Sequence, residues 1–251
     1  FFFTFIVCFF VTTKGITQVV TFSPTYPIMQ DSVEIIFDAA AGNGALAGVN
    51  TVYMHTGLIS QNSLSNSDWK HRINPWPTGD PDLVINDTLV MMQNIGGDLH
   101  RIKIKPSTYY GYNSQIDYNA IVFVFRNQDG SLAGKNTDNS DIFIPVFKNT
   151  PFDALFFEPL TNAYRVNLND TIDVEILANT NSHIKFYHDG QLIIQDSSNT
   201  ELTSFVVVSN PGIHWLKLEA NDGSSTIIDS VYYIVDDVTI VQNPPFASMN
   251  G

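Results

Sequence analysis

The sequence predicts an all-β fold made of two consecutive β-sandwich domains, and three observations carry that prediction. Short apolar stretches with a period of two recur from Val19 to Val235, separated by clusters of Gly, Pro, Asn and Asp. No ten-residue window over that span shows a convincing helical period. The third observation is the stretch Ala120 to Phe147, where two apolar strands flank a long loop of Gly, Asn, Asp, Ser and Lys. Ile121, Phe123 and Phe125 alternate there with Val122, Val124 and Arg126, and Ile142, Ile144 and Val146 resume one face after the loop. This reads as an edge hairpin whose polar loop, Asn127 to Asp141, is held out to solvent.

Length and composition set the frame. At 251 residues and 44% apolar, the chain can bury two cores in domains of ~100–150 residues. Twelve Lys and Arg against 25 Asp and Glu give a formal charge of -13. Such a chain has no general attraction to nucleic acid or to anionic membrane, so neither is expected as a partner. The opening run FFFTFIVCFFV is apolar apart from Thr4. It is too short to span a membrane and reads as the core of an incomplete signal peptide over residues 1–17, cleaved before Gln18; a buried first strand is the alternative. Cys8, the only cysteine, lies in that run. A mature chain would then have no disulfide, thiolate metal site or Cys nucleophile. The expected location is secreted or at the cell surface, with no membrane insertion of the mature chain.

The first domain is expected over residues 18–149. VVTF ends at Ser23-Pro24, and SVEIIFDAA sets Val33, Ile35 and Phe37 on one face. TVYMHTGLIS puts Val52, Met54 and Thr56 on one side and Tyr53, His55 and Gly57 on the other. NSDWKHRINPWPTGDPD carries three prolines and little periodicity, so it reads as a long loop, and long loops in compact domains are commonly functional. LVMMQNIGGDLHRIKI turns at Gly96-Gly97. KNTP at 148–151 breaks the pattern, and an immunoglobulin-like sandwich is expected over residues 150–238. Its strands are TIDVEILA, HIKFYHDGQLIIQ with a hairpin at Asp189-Gly190, SFVVV, IHWLKLEA and STIIDSVYYIV. Residues 239–251, with Pro244-Pro245, have the composition of a linker to a further domain.

VYMHTG, Trp69, the hairpin around Met91 and Met92, and the VFRNQDG…DNSDI loop resemble starch-binding modules of carbohydrate-binding module families 25 and 26. Signal peptide, this module, then an immunoglobulin-like domain ending in YYIVDD and a Pro-Pro linker together look like the N-terminal, non-catalytic region of secreted bacterial alpha-amylases. The resemblance implies α-glucan as ligand and a glycoside hydrolase family 13 catalytic domain downstream in the same chain. Two features depart from the pattern: Thr56 stands where the modules often place an aromatic, and the Trp69–Trp76 loop is longer.

A glucan offers flat C–H faces ringed by hydroxyls, which aromatic platforms and hydrogen-bonding side chains can hold. The candidates are Tyr53, His55, Trp69 and Trp76. Each Trp lies in a polar loop and either faces ligand or plugs the space beneath; Trp76 is held between Pro75 and Pro77. Tyr53 and His55 share the face opposite Met54, with a plain edge histidine as the simpler reading. Tyr109, Tyr110 and Tyr112 could line the same rim or merely cover strand ends. No cofactor is expected. Asp129, Asp138 and Asp141 suit calcium chemically, but their spacing matches no EF-hand loop and solvated turn acids explain them more simply. The six histidines show no metal-ligand spacing, and no nucleophile elbow or phosphate loop is present. The chain is therefore expected to bind rather than catalyse, with a structural or adhesive pair of sandwiches as the alternative. Trp215, outward from a core face of Leu216, Leu218 and Ala220, is expected to seal a junction with a neighbouring domain, with glycan contact as the alternative.

Overall fold

The computed structural model describes residues 18–73, 75–77, 87–162 and 164–236. The signal-peptide and linker expectations, and the downstream end of the long loop, lie outside them. Among the described residues, fifteen strands make up nearly all of the regular structure: β1 Val20–Ser23, β2 Val33–Asp38, β3 Tyr53–Ser60, β4 Lys70–Ile73, β5 Gln93–Gly96, β6 Leu99–Ile104, β7 Tyr118–Arg126 and β8 Ala133–Gly134. They continue with β9 Ile142–Pro145, β10 Ala154–Glu158, β11 Tyr164–Val166, β12 Thr171–His188, β13 Gln191–Val207, β14 Gly212–Asn221 and β15 Thr226–Val235. One helical turn, Pro106–Tyr109, sits between β6 and β7. Among the described residues no helix is long and apolar enough to cross a membrane.

The first sandwich packs a four-stranded sheet, β1-β2-β6-β5, against a five-stranded one, β4-β3-β7-β8 with β9 also on β7. The period-two reading holds inside it. Val33, Ile35 and Phe37 face Val52, Met54 and Leu58 from β3 and its approach, and Ile121, Phe123 and Phe125 from β7, in one core. Phe37 and Phe125 stack with centroids 4.0 Å apart, joining the sheets. Thr56 explains itself here. It is wholly buried, its hydroxyl donating to the Val122 carbonyl at 2.8 Å and pairing with Tyr110 Oη at 2.6 Å. Its position belongs to the core, so an aromatic there could not reach an outer binding face.

Two expectations change. The strand before the polar loop is not an edge: β7 lies between β3 on one side and β8 and β9 on the other. The loop is held out to solvent only in part: residues 128, 129, 131, 132 and 137–140 are exposed, while its middle folds back. Asn43 Nδ2 donates to the Ala133 carbonyl at 2.9 Å, and its Oδ1 accepts the Lys135 N–H at 3.3 Å. Gly134 lies so close to Leu46 and Phe37 that a Cβ would come within 2.8 Å of each. Short-range polarity marked a loop; contacts from ninety residues upstream fold it back onto the core.

The second sandwich is one hydrogen-bonded sheet folded on itself. The first half of β12 pairs β10 and the end of β13, while its second half pairs β14 and the start of β13. The register breaks between Leu177 and Ser182, where the strand bends from one layer to the other. Side chains of both layers, among them Phe156, Val174, Phe186 and Leu218, form one core. Asp189-Gly190 makes the hairpin turn expected of it. β10 and β11, by contrast, show no clear alternation in the sequence and emerge only in the fold.

A third, smaller cluster joins the two sandwiches. Ile59, Ala120 and Val122, on the outer face of β3 and β7, pack with Leu160, and Trp69, Phe143 and Phe157 close around them. Asn119 Nδ2 donates to the Leu160 carbonyl at 2.9 Å, and Lys148 pairs with Asp117 at 3.0 Å. Trp215 has no place in this junction. It lies 51% exposed on β14 against Tyr232, with centroids 5.1 Å apart.

Candidate functional site: an aromatic cluster on the outer face of β3

Three of the four sequence candidates meet. On β3, odd-numbered residues point away from the first core: Tyr53, His55, Gly57 and Ile59 lie opposite Arg126, Val124, Val122 and Ala120 of β7. The His55 ring lies 5.2 Å from Trp69, tilted by 33°, and 5.3 Å from Trp76, edge to face at 89°. His55, Trp69 and Trp76 are each partly exposed, so the cluster is a lined surface and not a sealed core.

Two glycines make room for the indoles. A Cβ on Gly57 would stand 2.9 Å from the Lys70 carbonyl oxygen and 3.2 Å from Trp69 Cβ, so only Gly lets the Trp69–Lys70 segment cross this close. Gly130, at φ 73°, does the same for Trp76 and Pro77, whose Nε1 and Cγ would lie 2.8 and 2.7 Å from an added Cβ. The loop that precedes Trp69 is internally fixed. Ser63 Oγ donates to the Asp68 carbonyl, Trp69 Nε1 donates to the Asn66 carbonyl at 3.2 Å, and Lys70 pairs with Asp68 at 2.7 Å. The Lys70 contact, then the Leu64 N–H, hold the Asp68 carboxyl below its ordinary value. Arg72 stands exposed beside Gly57, completing a polar margin.

Tyr53 faces outward as expected but is not open to solvent. It is only 6% exposed, its ring covered by the Arg126 guanidinium at 4.8 Å. Arg126 is itself buried and donates from Nη1 to the carbonyls of Asn127 and Gln128, each at 3.0 Å. Tyr53 therefore supports the start of the polar loop from beneath. The long loop also contains a strand: Lys70–Ile73 pairs the edge of β3. Gly57 is the sequence signal that could have announced this packing, since a Gly within a strand marks close approach by another backbone.

The tyrosines act as covers. Tyr110 is buried, and burial raises its phenol well above the ordinary value. Tyr109 Oη donates to the Leu89 carbonyl at 2.9 Å, and Tyr109 and Tyr112 pack on the first core. The loop acids serve the loop's own turns. Asp129 accepts from the Ser131 hydroxyl and N–H, Asp138 from the Ser140 N–H, and Asp141 from Lys135 Nζ at 2.8 Å. Contacts with Ser131 and Ser140 lower the Asp129 and Asp138 carboxyls respectively.

No family model and no curated protein matches this chain. Among solved structures, the fibronectin(III)-like modules of Clostridium thermocellum CbhA align at 20% identity over 33% of this chain and 93% of theirs, with a TM-score of 0.28. The CARDB domain of PF1109 from Pyrococcus furiosus aligns at 10% identity over 34% and 93%, with a TM-score of 0.28. A chimeric titin Z1Z2 aligns at 10% identity over 87% and 97%, again with a TM-score of 0.28. Similarity at this level carries no function across, and the two-sandwich architecture rests on the strand pairing itself.

Proposed function

We propose that the first sandwich binds α-glucan through His55, Trp69 and Trp76, as an accessory region of a secreted α-amylase-type glycoside hydrolase, and that the second sandwich acts as a spacer. The observation that carries this reading is that the His55 ring lies within 5.3 Å of both Trp69 and Trp76 on a partly exposed face. Tilted and perpendicular rings suit the turning face of an α-1,4-linked chain, while Lys70 and Arg72 supply hydrogen-bonding groups near its margin. Tethering such a module to a catalytic domain raises local substrate concentration without new chemistry. A site stacking a few sugar rings should bind with a Kd of about 10 µM to 1 mM, roughly -4 to -7 kcal/mol.

Calorimetric titration of the chain with maltoheptaose tests this. Trp76→Ala is the informative variant, because Trp69 also packs on the inter-domain cluster. It should cost about 1–3 kcal/mol of binding, while Trp215→Ala leaves binding unchanged. Binding that survives Trp76→Ala and His55→Ala moves the site elsewhere. Absence of binding to any soluble or granular α-glucan favours the second reading, a structural tandem. That reading draws on the apolar junction of Ile59, Val122 and Leu160, which ties the sandwiches together.

A further inference from the structure

At one end of the second sandwich, two histidines and a carboxylate converge although His214 lies 25 positions from Asp189 in the sequence. His188 ends β12, Asp189 opens the following turn, and His214 lies on β14. Asp189 and Gly190 both adopt positive φ, 48° and 79°, as a two-residue hairpin turn requires. The turn fixes the carboxylate. Asp189 Oδ1 accepts the Trp215 N–H at 2.9 Å, and the Asp189 N–H donates to the Trp215 carbonyl at 2.9 Å. Oδ2 is left facing both imidazoles, 2.7 Å from His214 Nδ1 and 3.5 Å from His188 Nε2.

The outer contacts of the rings select their ligand atoms. His214 Nε2 lies 3.0 Å from the Asn210 carbonyl oxygen, which can only accept, so this nitrogen carries a proton. Nδ1 is then the atom presented to Asp189, the usual arrangement of a metal-binding histidine whose far N–H donates to a carbonyl. His188 Nε2 lies 2.9 Å from Tyr233 Oη, whose O–H can donate to its one lone pair, so this nitrogen becomes a metal ligand only as the phenol gives up that hydrogen bond. The three ligand atoms lie within 4.8 Å of one another, and the Asp189 side chain is 43% exposed, leaving one side open to water.

We propose that His188 Nε2, Asp189 Oδ2 and His214 Nδ1 form a binding site for a divalent cation of the zinc, copper or nickel type, with water completing the coordination. Ligand atoms about 2.0–2.1 Å from a tetrahedral zinc stand about 3.3 Å apart. The 3.5 Å His188–Asp189 separation already fits. The 2.7 Å His214–Asp189 contact is a hydrogen bond and must open by about 0.6 Å. The entering ion takes the place of the Nδ1 proton, which leaves to solvent. Two imidazoles and one carboxylate favour these ions over calcium or magnesium, which prefer oxygen sets.

Zinc chloride titrated calorimetrically into the 251-residue chain tests the site, with cobalt(II) absorption as a second readout. The expected result is saturable binding of one ion per chain and a visible cobalt band of tetrahedral character. Asp189→Asn and His214→Gln should each weaken binding at least about tenfold. Asparagine before Gly190 suits the turn, so Asp189→Asn isolates the loss of the carboxylate. If His214→Gln loses cooperative unfolding, His188→Gln takes its place. No saturable binding up to about 1 mM zinc, or equal affinity in wild type and every folded variant, overturns the proposal.

Discussion

β7 and β14 are interior strands of their respective sheets, yet they meet their surroundings differently. From Ala120 to Arg126 every residue of β7 is buried, on both faces. β14 alternates: Leu216, Leu218 and Ala220 are buried, while Ile213 and Trp215 are 62% and 51% exposed. The two sequences differ in the same sense. AIVFVF is an unbroken apolar run, whereas IHWLKLEA changes polarity at alternate positions. A run of that kind belongs to a strand covered on both sides. At β7 the second cover comes from Leu160 and its neighbours at one end, and from the His55–Trp76 cluster opposite Val124 at the other. A strand's apolar content thus reports how many neighbours it has, and the outer face of the first sandwich is where its partners gather.

The same charge placed on both outer faces should act very differently on the two strands. Val122→Asp buries a carboxylate in the inter-domain cluster and should cost about 3 kcal/mol or more, whereas Trp215→Asp should cost under about 1 kcal/mol. Urea denaturation of both variants measures the difference, and equal costs would mean that the β7 outer face is open in solution.

A smaller effect tests the inner face of the same strand pair. Thr56→Val removes the hydroxyl that joins Tyr110 Oη and the Val122 carbonyl, at an expected cost of about 1–3 kcal/mol. Adding Tyr110→Phe should recover part of it, because no orphaned phenol then remains. A double variant as unstable as the sum of the singles would show that the pair is not coupled.

The second sandwich should also respond to pH. Burial, then the neighbouring Glu175 and Asp173 charges, push the Glu158 carboxyl from 4.5 up to about 7. Glu175 is its direct cross-strand partner, itself raised by burial and by Glu201, and Tyr164 faces the same acid. A folded-state value above the unfolded one means the folded chain binds the proton more tightly. That stabilising contribution is fully present below about 4.5 and is lost as pH rises through about 7. Melting temperature should fall across this window, and Glu158→Gln should flatten the profile; an unchanged slope in that variant would assign the dependence to other groups.

The smallest effect belongs to Lys148. Its pair with Asp117 is more than half exposed on both sides, at 58% and 53%. Lys148→Met should therefore change stability by less than about 1 kcal/mol, less still in high salt. A loss comparable to that of Val122→Asp would mean that charge, and not the apolar cluster, holds the junction.

Much of the fold was legible because alternation is a local property. Val33, Ile35 and Phe37, or Leu216, Leu218 and Ala220, share a face by strand geometry alone, and Asp189-Gly190 turns wherever it falls between alternating strands. The aromatic site was half legible. Trp69 and Trp76 stood out in their loop, and His55 faces them from β3. Tyr53 follows the same alternation but is roofed by Arg126, which arrives from β7. Period two sorts residues between faces and says nothing about what covers each face.

The sequence by itself determined the strand class, the inner core faces, the hairpin turns and the candidates His55, Trp69 and Trp76. Long-range packing made β7 interior, folded the middle of the polar loop back onto the core, and brought His188 and His214 together at Asp189. The reason is range. Turn and alternation preferences act over a few residues, whereas Asn119 reaches Leu160 across 41 positions, His188 reaches Tyr233 across 45, and Asn43 reaches Ala133 across 90.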